Sequence, residues 1–189
     1  MTAVHATRHS PRVRVWDAGV RLFHWGLVTC VASAWLLVDP RWLHRRIGYV
    51  VIGLIAFRLV WGVIGTRYAR WGDFIPGPRR LIAYLAAMRQ GREARTLGHN
   101  PAGAAMIVAL LAVLSGICAT GIMMGMDRYF GQDWVEHWHE GMVNGLLALI
   151  ALHLGGVILA SLRHRENLVA AMISGQKDLH DPTGPHDAT

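Results

Sequence analysis

The sequence predicts an all-α integral membrane protein: a four-helix transmembrane bundle with a short amphipathic helix in the cytoplasmic loop between the second and third spans. Three observations predict it. The 189 residues are 53% hydrophobic and only 16% charged, whereas a soluble domain carries charge on about a quarter of its residues. Four apolar runs, 22–38, 47–64, 102–126 and 141–162, each approach the length needed to cross a bilayer. Four histidines, His24, His44, His139 and His153, lie within or at the ends of these runs, where imidazole is costly unless it has a partner or ligand.

The elements follow in chain order. The first helix starts near 16–20 and ends near 38, ahead of Asp39-Pro40. It ends without a small-x-small cleavage site and holds a candidate ligand, so it does not read as a signal peptide. The second runs from about 43 to 65. In the long connection 66–101, Pro76-Gly77-Pro78 precedes Leu81, Ile82, Tyr84, Leu85 and Met88 at helical spacing, with arginines at both ends. That segment, 79–89, reads as an interfacial amphipathic helix. Asn100-Pro101 resembles a cap followed by a first-turn proline that opens the third helix. Trp134 sits at membrane-interface depth, and the fourth helix runs from near 137 to about 162–163. Residues 1–15 are expected to be a flexible cytoplasmic arm, 16–175 one membrane domain, and 176–189 a disordered tail.

Charge asymmetry orients the chain. Fourteen basic residues fall on the side of both termini and the middle loop, against Arg41, Arg45, Arg46 and Arg128 on the other. The positive-inside rule then puts both termini in the cytoplasm. This bias accounts for most of the net charge of +7, and no nucleic-acid motif accompanies it. Cys30 and Cys118 lie in apolar runs and read as small core residues. Neither belongs to a Cys-x-x-Cys-His haem attachment, and two isolated thiols make no iron–sulfur ligand set.

The spacing of the histidines suggests chemistry. His139 and His153 are fourteen residues apart, which returns to within roughly 40° of one helix face and separates them by about 21 Å along the axis. His24 lies at the depth of His153, and His44 at the depth of His139. Two bis-imidazole sites result, one near each membrane surface, suited to two non-covalent haems. His137 competes with His139, but sixteen residues from His153 puts it about 160° away on the opposite face. His5, His9, His99, His164, His180 and His186 lie in polar termini or at helix ends and read as solvated. Arg58 shares the His44 face at the depth of the other pair. It would serve a haem propionate or snorkel to the interface. Arg45 and Arg46 flank His44 and offer the same alternatives. Glycines 26, 48, 53, 121, 145, 155 and 156 permit close approach of a macrocycle or, by default, of another helix. Met123, Met124 and Met126 read as gap-fillers.

The motifs resemble a known family. Val15-Trp16-Asp17 and Arg21-Leu22-Phe23-His24-Trp25 resemble the entry to the first helix of the prokaryotic cytochrome b-561 family, which also includes the b-type cytochrome subunits of nickel–iron hydrogenases. Leu43-His44-Arg45-Arg46-Ile47-Gly48-Tyr49 and Phe57-Arg58-Leu59-Val60-Trp61-Gly62 resemble its second helix. Arg67-Tyr68-Ala69-Arg70 and Leu97-Gly98-His99-Asn100-Pro101-Ala102-Gly103 resemble its middle loop. His139-Glu140 with Ala151-Leu152-His153 matches its two-histidine helix, and His164-Arg165-Glu166-Asn167-Leu168 its closing segment. The resemblance spans roughly 15–177. It implies four transmembrane helices, two haems b ligated by His24, His44, His139 and His153, and quinone-linked electron transfer. The connection between the first two helices is short for the family and leaves little periplasmic structure for a partner to grip.

The expected function is electron transfer between membrane quinone and a periplasmic partner, either a c-type cytochrome or a dehydrogenase or hydrogenase module. Bis-imidazole ligation saturates the iron and favours electron transfer. A variant within the family exchanges electrons between superoxide and quinone without a protein partner. The alternative from another class is a histidine-lined metal transporter or membrane anchor. Against transport, there is no intramembrane acidic relay and no repeat of broken helices.

Overall fold

The computed structural model describes residues 12–179. In order, these form β1 (Arg12–Arg14), α1 (Ala18–Leu36), α2 (Arg41–Ile64), a 3-10 turn at Arg67–Ala69, α3 (Trp71–Phe74), α4 (Pro78–Arg89), α5 (Pro101–Met123), a second 3-10 turn at Asp127–Tyr129, α6 (Asp133–Arg163), α7 (Leu168–Ser174) and β2 (Gln176–Asp178). Among the described residues three helices, α2, α5 and α6, are long and apolar enough to cross a membrane. The first apolar run becomes α1, which is not among those three. It has 19 residues and carries Arg21 and His24 in its first two turns.

Local chemistry sets the helix ends. The Asp17 carboxylate accepts from the Val20 amide at 2.9 Å and caps α1. Asn100 caps α5 through the Gly103 amide, with Pro101 at the first position, as the sequence predicts. Pro78 likewise opens α4, with Arg89 in its last turn. The expected amphipathic helix is therefore present, offset by one residue. Leu81, Tyr84 and Met88 are half-buried, whereas Ile82 and Leu85 stay exposed. α6 has 31 residues, about 46 Å, and starts earlier than the sequence suggests.

α1 packs on α2, α2 on α5, and α5 on α6, while α4 rests against α5. Their shared core is Phe23, Val51, Ile55, Leu111, Leu114 and Leu146. Two of these positions carry a simple arithmetic. Val51 is seven residues from both His44 and Arg58, and Leu146 is seven from both His139 and His153. Seven residues are close to two helical turns. Each stripe therefore runs polar, apolar, polar along one face, and the apolar layer sits midway between two polar levels.

A second cluster closes the end that bears both termini: Val15, Trp16, Val20, Ala69 and Ala171, flanked by Val13, Trp61, Tyr68, Leu97 and Met172. Here the domain limits drawn from the sequence need correction. β1 pairs antiparallel with β2, Arg12 opposite Asp178 and Arg14 opposite Gln176. Residues assigned to a flexible arm and a disordered tail thus form a ribbon. Val15 is 2% and Lys177 5% exposed. Three-residue strands are too short to show alternation, and their partner is over 160 residues away, so no local pattern announces them. The rest of the arm and tail, with His5, His9, His180 and His186, lies outside the described residues. Gly175 makes the turn into β2 at φ +81°, and a Cβ there would meet the Trp16 carbonyl oxygen at 2.5 Å, so only glycine fits. Glu166 bridges Lys177 and Arg95, each at 3.3 Å, tying β2, the α6–α7 turn and the middle loop together.

Asp17 ties α1 to the end of α2. Beyond its cap it accepts from the Trp61 indole N–H at 3.1 Å and from the Thr66 hydroxyl. Burial pushes its carboxyl up, but hydrogen bonds from Thr66, Val20 and Trp61 together outweigh this and hold it below the ordinary 3.8. Its contribution to stability is therefore present above that value and lost only in stronger acid. Asp17→Ala removes the cap and orphans the Trp61 donor, and is expected to cost about 2–3 kcal/mol. Thermal unfolding in detergent reads the loss; an unchanged Tm would show that the α1–α2 junction does not depend on this carboxylate.

Candidate functional site

The four histidines form two groups at two depths. His44, in the first turn of α2, and His139, in α6, bring their rings to a centroid separation of 6.4 Å with planes at 65°. Each ring is steered by a bond from its other nitrogen. His44 Nδ1–H donates to the Ala34 carbonyl of α1 at 3.0 Å. The Thr120 hydroxyl donates to the Gly116 and Ile117 carbonyls of α5, each at 3.0 Å. It therefore accepts from His139 Nδ1–H at 2.9 Å. Both imidazoles are left with Nε2 as the basic nitrogen, the arrangement that prepares a histidine to ligate metal.

The separation matches an interposed metal. A metal–imidazole bond of about 2.0–2.1 Å on each side, plus roughly 1.1 Å from nitrogen to ring centre, would account for a separation of about 6.3 Å. The His139 ring lies beside α5 at Gly121, where a Cβ would be 3.6 Å from His139 Cε1, an ordinary contact. His137, two residues away, is exposed, and its Nδ1–H donates to the Asp133 carbonyl of its own helix at 2.7 Å. His139, not His137, faces α5 and His44.

His153 of α6 lies within electrostatic reach of His24 of α1. Nδ1 of His24 is buried with no hydrogen-bond partner among the described residues, and the ring meets Trp25 edge-on at 5.0 Å. Leu146 and the rest of the apolar core separate this pair from the other. Among the described residues no three or more His, Cys, Asp or Glu converge. The histidines come in twos, which would suit a metal whose remaining ligands come from a prosthetic group. A closed tetrahedral site would need further protein ligands.

The arginines divide. Arg58 is 2% exposed, and its guanidinium lies 4.1 Å from the centre of the Trp71 ring. It does not snorkel to the surface. Arg45 and Arg46 are exposed, and Arg46 lies over Trp42 at 5.1 Å. The structure does not gather them into the histidine gap.

Sequence reasoning missed His99. It packs on Trp16 at 4.5 Å between ring centres. Burial, with the positive charges of Arg58 and Lys177 and with His153 nearby, depresses it to about 3. It is a neutral, enclosed imidazole, not a solvated one. The only local signal was its place beside a helix cap. Trp16 packs on it and the charge of Lys177 in β2 reaches it, from opposite ends of the chain.

Comparison with known proteins agrees with this architecture. A curated relative from Cupriavidus necator, named "Probable Ni/Fe-hydrogenase B-type cytochrome subunit", is 24% identical, the match covering 88% of this chain and 87% of the relative. No solved structure matches the chain significantly. Residues 15–175 match the family described as prokaryotic cytochrome b561. That stretch holds both histidine pairs, Arg58 and the Asp17 junction, and the chain belongs to the prokaryotic cytochrome b561 family, as a helical membrane b-type cytochrome of electron transfer.

Proposed function

We propose that this protein carries electrons across the bacterial inner membrane between the quinone pool and a periplasmic redox partner, holding one haem b between His24 and His153 and a second between His44 and His139. The observation that carries the reading is the 6.4 Å separation of His44 and His139, with both Nδ1 atoms engaged elsewhere. α1 serves as the fourth span: its 19 residues reach about 28 Å, close to the hydrocarbon thickness. The relative's name suggests the class of partner, a hydrogenase or similar oxidoreductase module.

When bound, the two haems supply one-electron redox couples. The chain's own residues do the rest. The Ala34 carbonyl and Thr120 hydroxyl fix ring orientation and tautomer. Two imidazoles at each haem would favour electron transfer over oxygen chemistry. Val51 and Leu146, packed with Ile55, Leu111 and Leu114, form an apolar layer between the two levels. Arg58 contributes a buried positive charge at the level of His24 and His153, suited to a propionate. Arg45 and Arg46 are proposed to serve the other haem's propionates from the exposed rim.

Each ligand has its own expected loss. His24→Ala and His153→Ala should remove the same haem, and His44→Ala and His139→Ala the other, halving haem per chain. Haem quantitation and low-temperature spectra of the variants check this. Loss of different haems within one pair would refute the pairing, as would an intact spectrum in His139→Ala with a changed one in His137→Ala. A colourless wild-type preparation loaded with zinc would instead support transport.

The basic residues predict topology. Reporter fusions after Arg89 and after Gln176 should report cytoplasm, and one after Gln132 periplasm. A periplasmic readout from the middle loop would invert the assignment.

Arg58 predicts a potential. A nearby positive charge favours the reduced, less positive iron. Arg58→Leu should lower the midpoint of the haem held by His24 and His153 by about 30–60 mV, or about 0.7–1.4 kcal/mol for one electron, and shift the other less. Redox titration decides it; equal shifts at both haems would remove the specific role.

A further inference from the structure

A buried arginine stays where it is only if something holds it there. α3 follows the 3-10 turn at Arg67–Ala69 and doubles back on the end of α2. Its first residue, Trp71, donates its indole N–H to the Leu59 carbonyl at 3.2 Å. The ring occupies the space left by Gly62: a Cβ there would stand 1.8 Å from Nε1 and 2.1 Å from Cε2. Arg58 is one turn earlier on the same face, with its guanidinium 4.1 Å from the Trp71 ring centre. Trp71 also lines an open hollow with Gly62, Val63, Arg70, Gly72 and Asp73, and Arg58 is not part of that lining. The indole thus stands as a partition between a charge and the outside. The Arg70–Asp73 pair at 3.3 Å braces the short helix that carries it, and the Asp17 carboxylate acts on Arg58 from α1.

We infer that Trp71, seated in the notch of Gly62, is a positioning residue: it fixes the Arg58 charge at the level of His24 and His153 and so sets the potential of the haem proposed there. A cation over an indole face is attracted by the ring quadrupole, and more strongly where water is excluded. Without the ring, the flexible arginine stem carries its charge toward the interface. The inference rests on the proposed di-haem reading, and its test separates the two.

The experiment is redox titration of the full-length protein in detergent. Trp71→Leu and Gly62→Ala should each lower the midpoint of the His24/His153 haem by the equivalent of about tenfold in the reduced-to-oxidised ratio, about 59 mV for one electron. Trp71→Phe keeps an aromatic face and should restore most of the wild-type value. In an Arg58→Leu background, Trp71→Leu should add nothing; the neutral, polar Arg58→Gln provides that background if the leucine variant does not assemble. Full haem content with no shift in Trp71→Leu would overturn the inference. So would the same shift with Arg58 already removed, since Trp71 would then act by packing alone. If the wild-type protein holds fewer than two haems, the functional reading fails on that measurement. A double-mutant cycle on thermal unfolding then still decides whether Trp71 holds Arg58, and strictly additive losses overturn it.

Discussion

The molecule depends on keeping two polar levels apart inside a nonpolar solvent. Imidazole and guanidinium are expensive in hydrocarbon, and this chain carries them at two depths on adjoining helices. The separator is the apolar core around Val51 and Leu146, with Ile55, Leu111 and Leu114. Leu146 stands two turns from His139 and two from His153, and Val51 stands two turns from His44 and two from Arg58. One helical period therefore sets both where polar groups gather and where none intrudes. In the proposed function, the same layer keeps water from the interval that electrons cross.

The two levels are finished differently. At the His44–His139 level, backbone and hydroxyl oxygens of α1 and α5 orient the rings directly. At the other level a charged and aromatic cap does the enclosing. Asp17 ties α1 to Trp61 and Thr66, Trp71 covers Arg58, His99 sits under Trp16, and Glu166 joins Lys177 to Arg95. Buried ion pairs add little net stability but are costly to break on one side only. A cap built this way closes as a unit and resists partial removal.

The parts of this arrangement legible in the sequence obey a local period. Fourteen residues from His139 to His153 define a face whatever surrounds them, and that arithmetic puts His137 on the other side, as the geometry has it. Asn100-Pro101 is equally local, because a cap is decided within four residues. What escaped is what long-range contact creates. Neither strand of the β1–β2 ribbon has enough residues to show alternation. His99 beside a helix start looks solvated until Trp16 is laid over it. Arg58 left two outcomes open because its fate turns on Trp71, thirteen residues on, and on a missing side chain at Gly62. Gly62 was read only as part of a family motif. That a glycine there serves an indole and not a helix or a macrocycle appears only when the chain doubles back.

α6 contributes one histidine to each level and runs unbroken from Asp133 to Arg163. The bilayer around it has no such constancy, since hydrocarbon thickness differs between membranes by several ångströms. A helix of about 46 Å can tilt or protrude to meet a thinner or thicker host without changing the fourteen-residue interval it carries. Were the two levels borne on separate helices, each adjustment of one against the other would alter the gap between them. In the proposed function tunnelling between the levels falls off steeply with distance, so a single rod would act as a ruler, making the rate of transfer a property of the polypeptide and not of the lipid in which it sits.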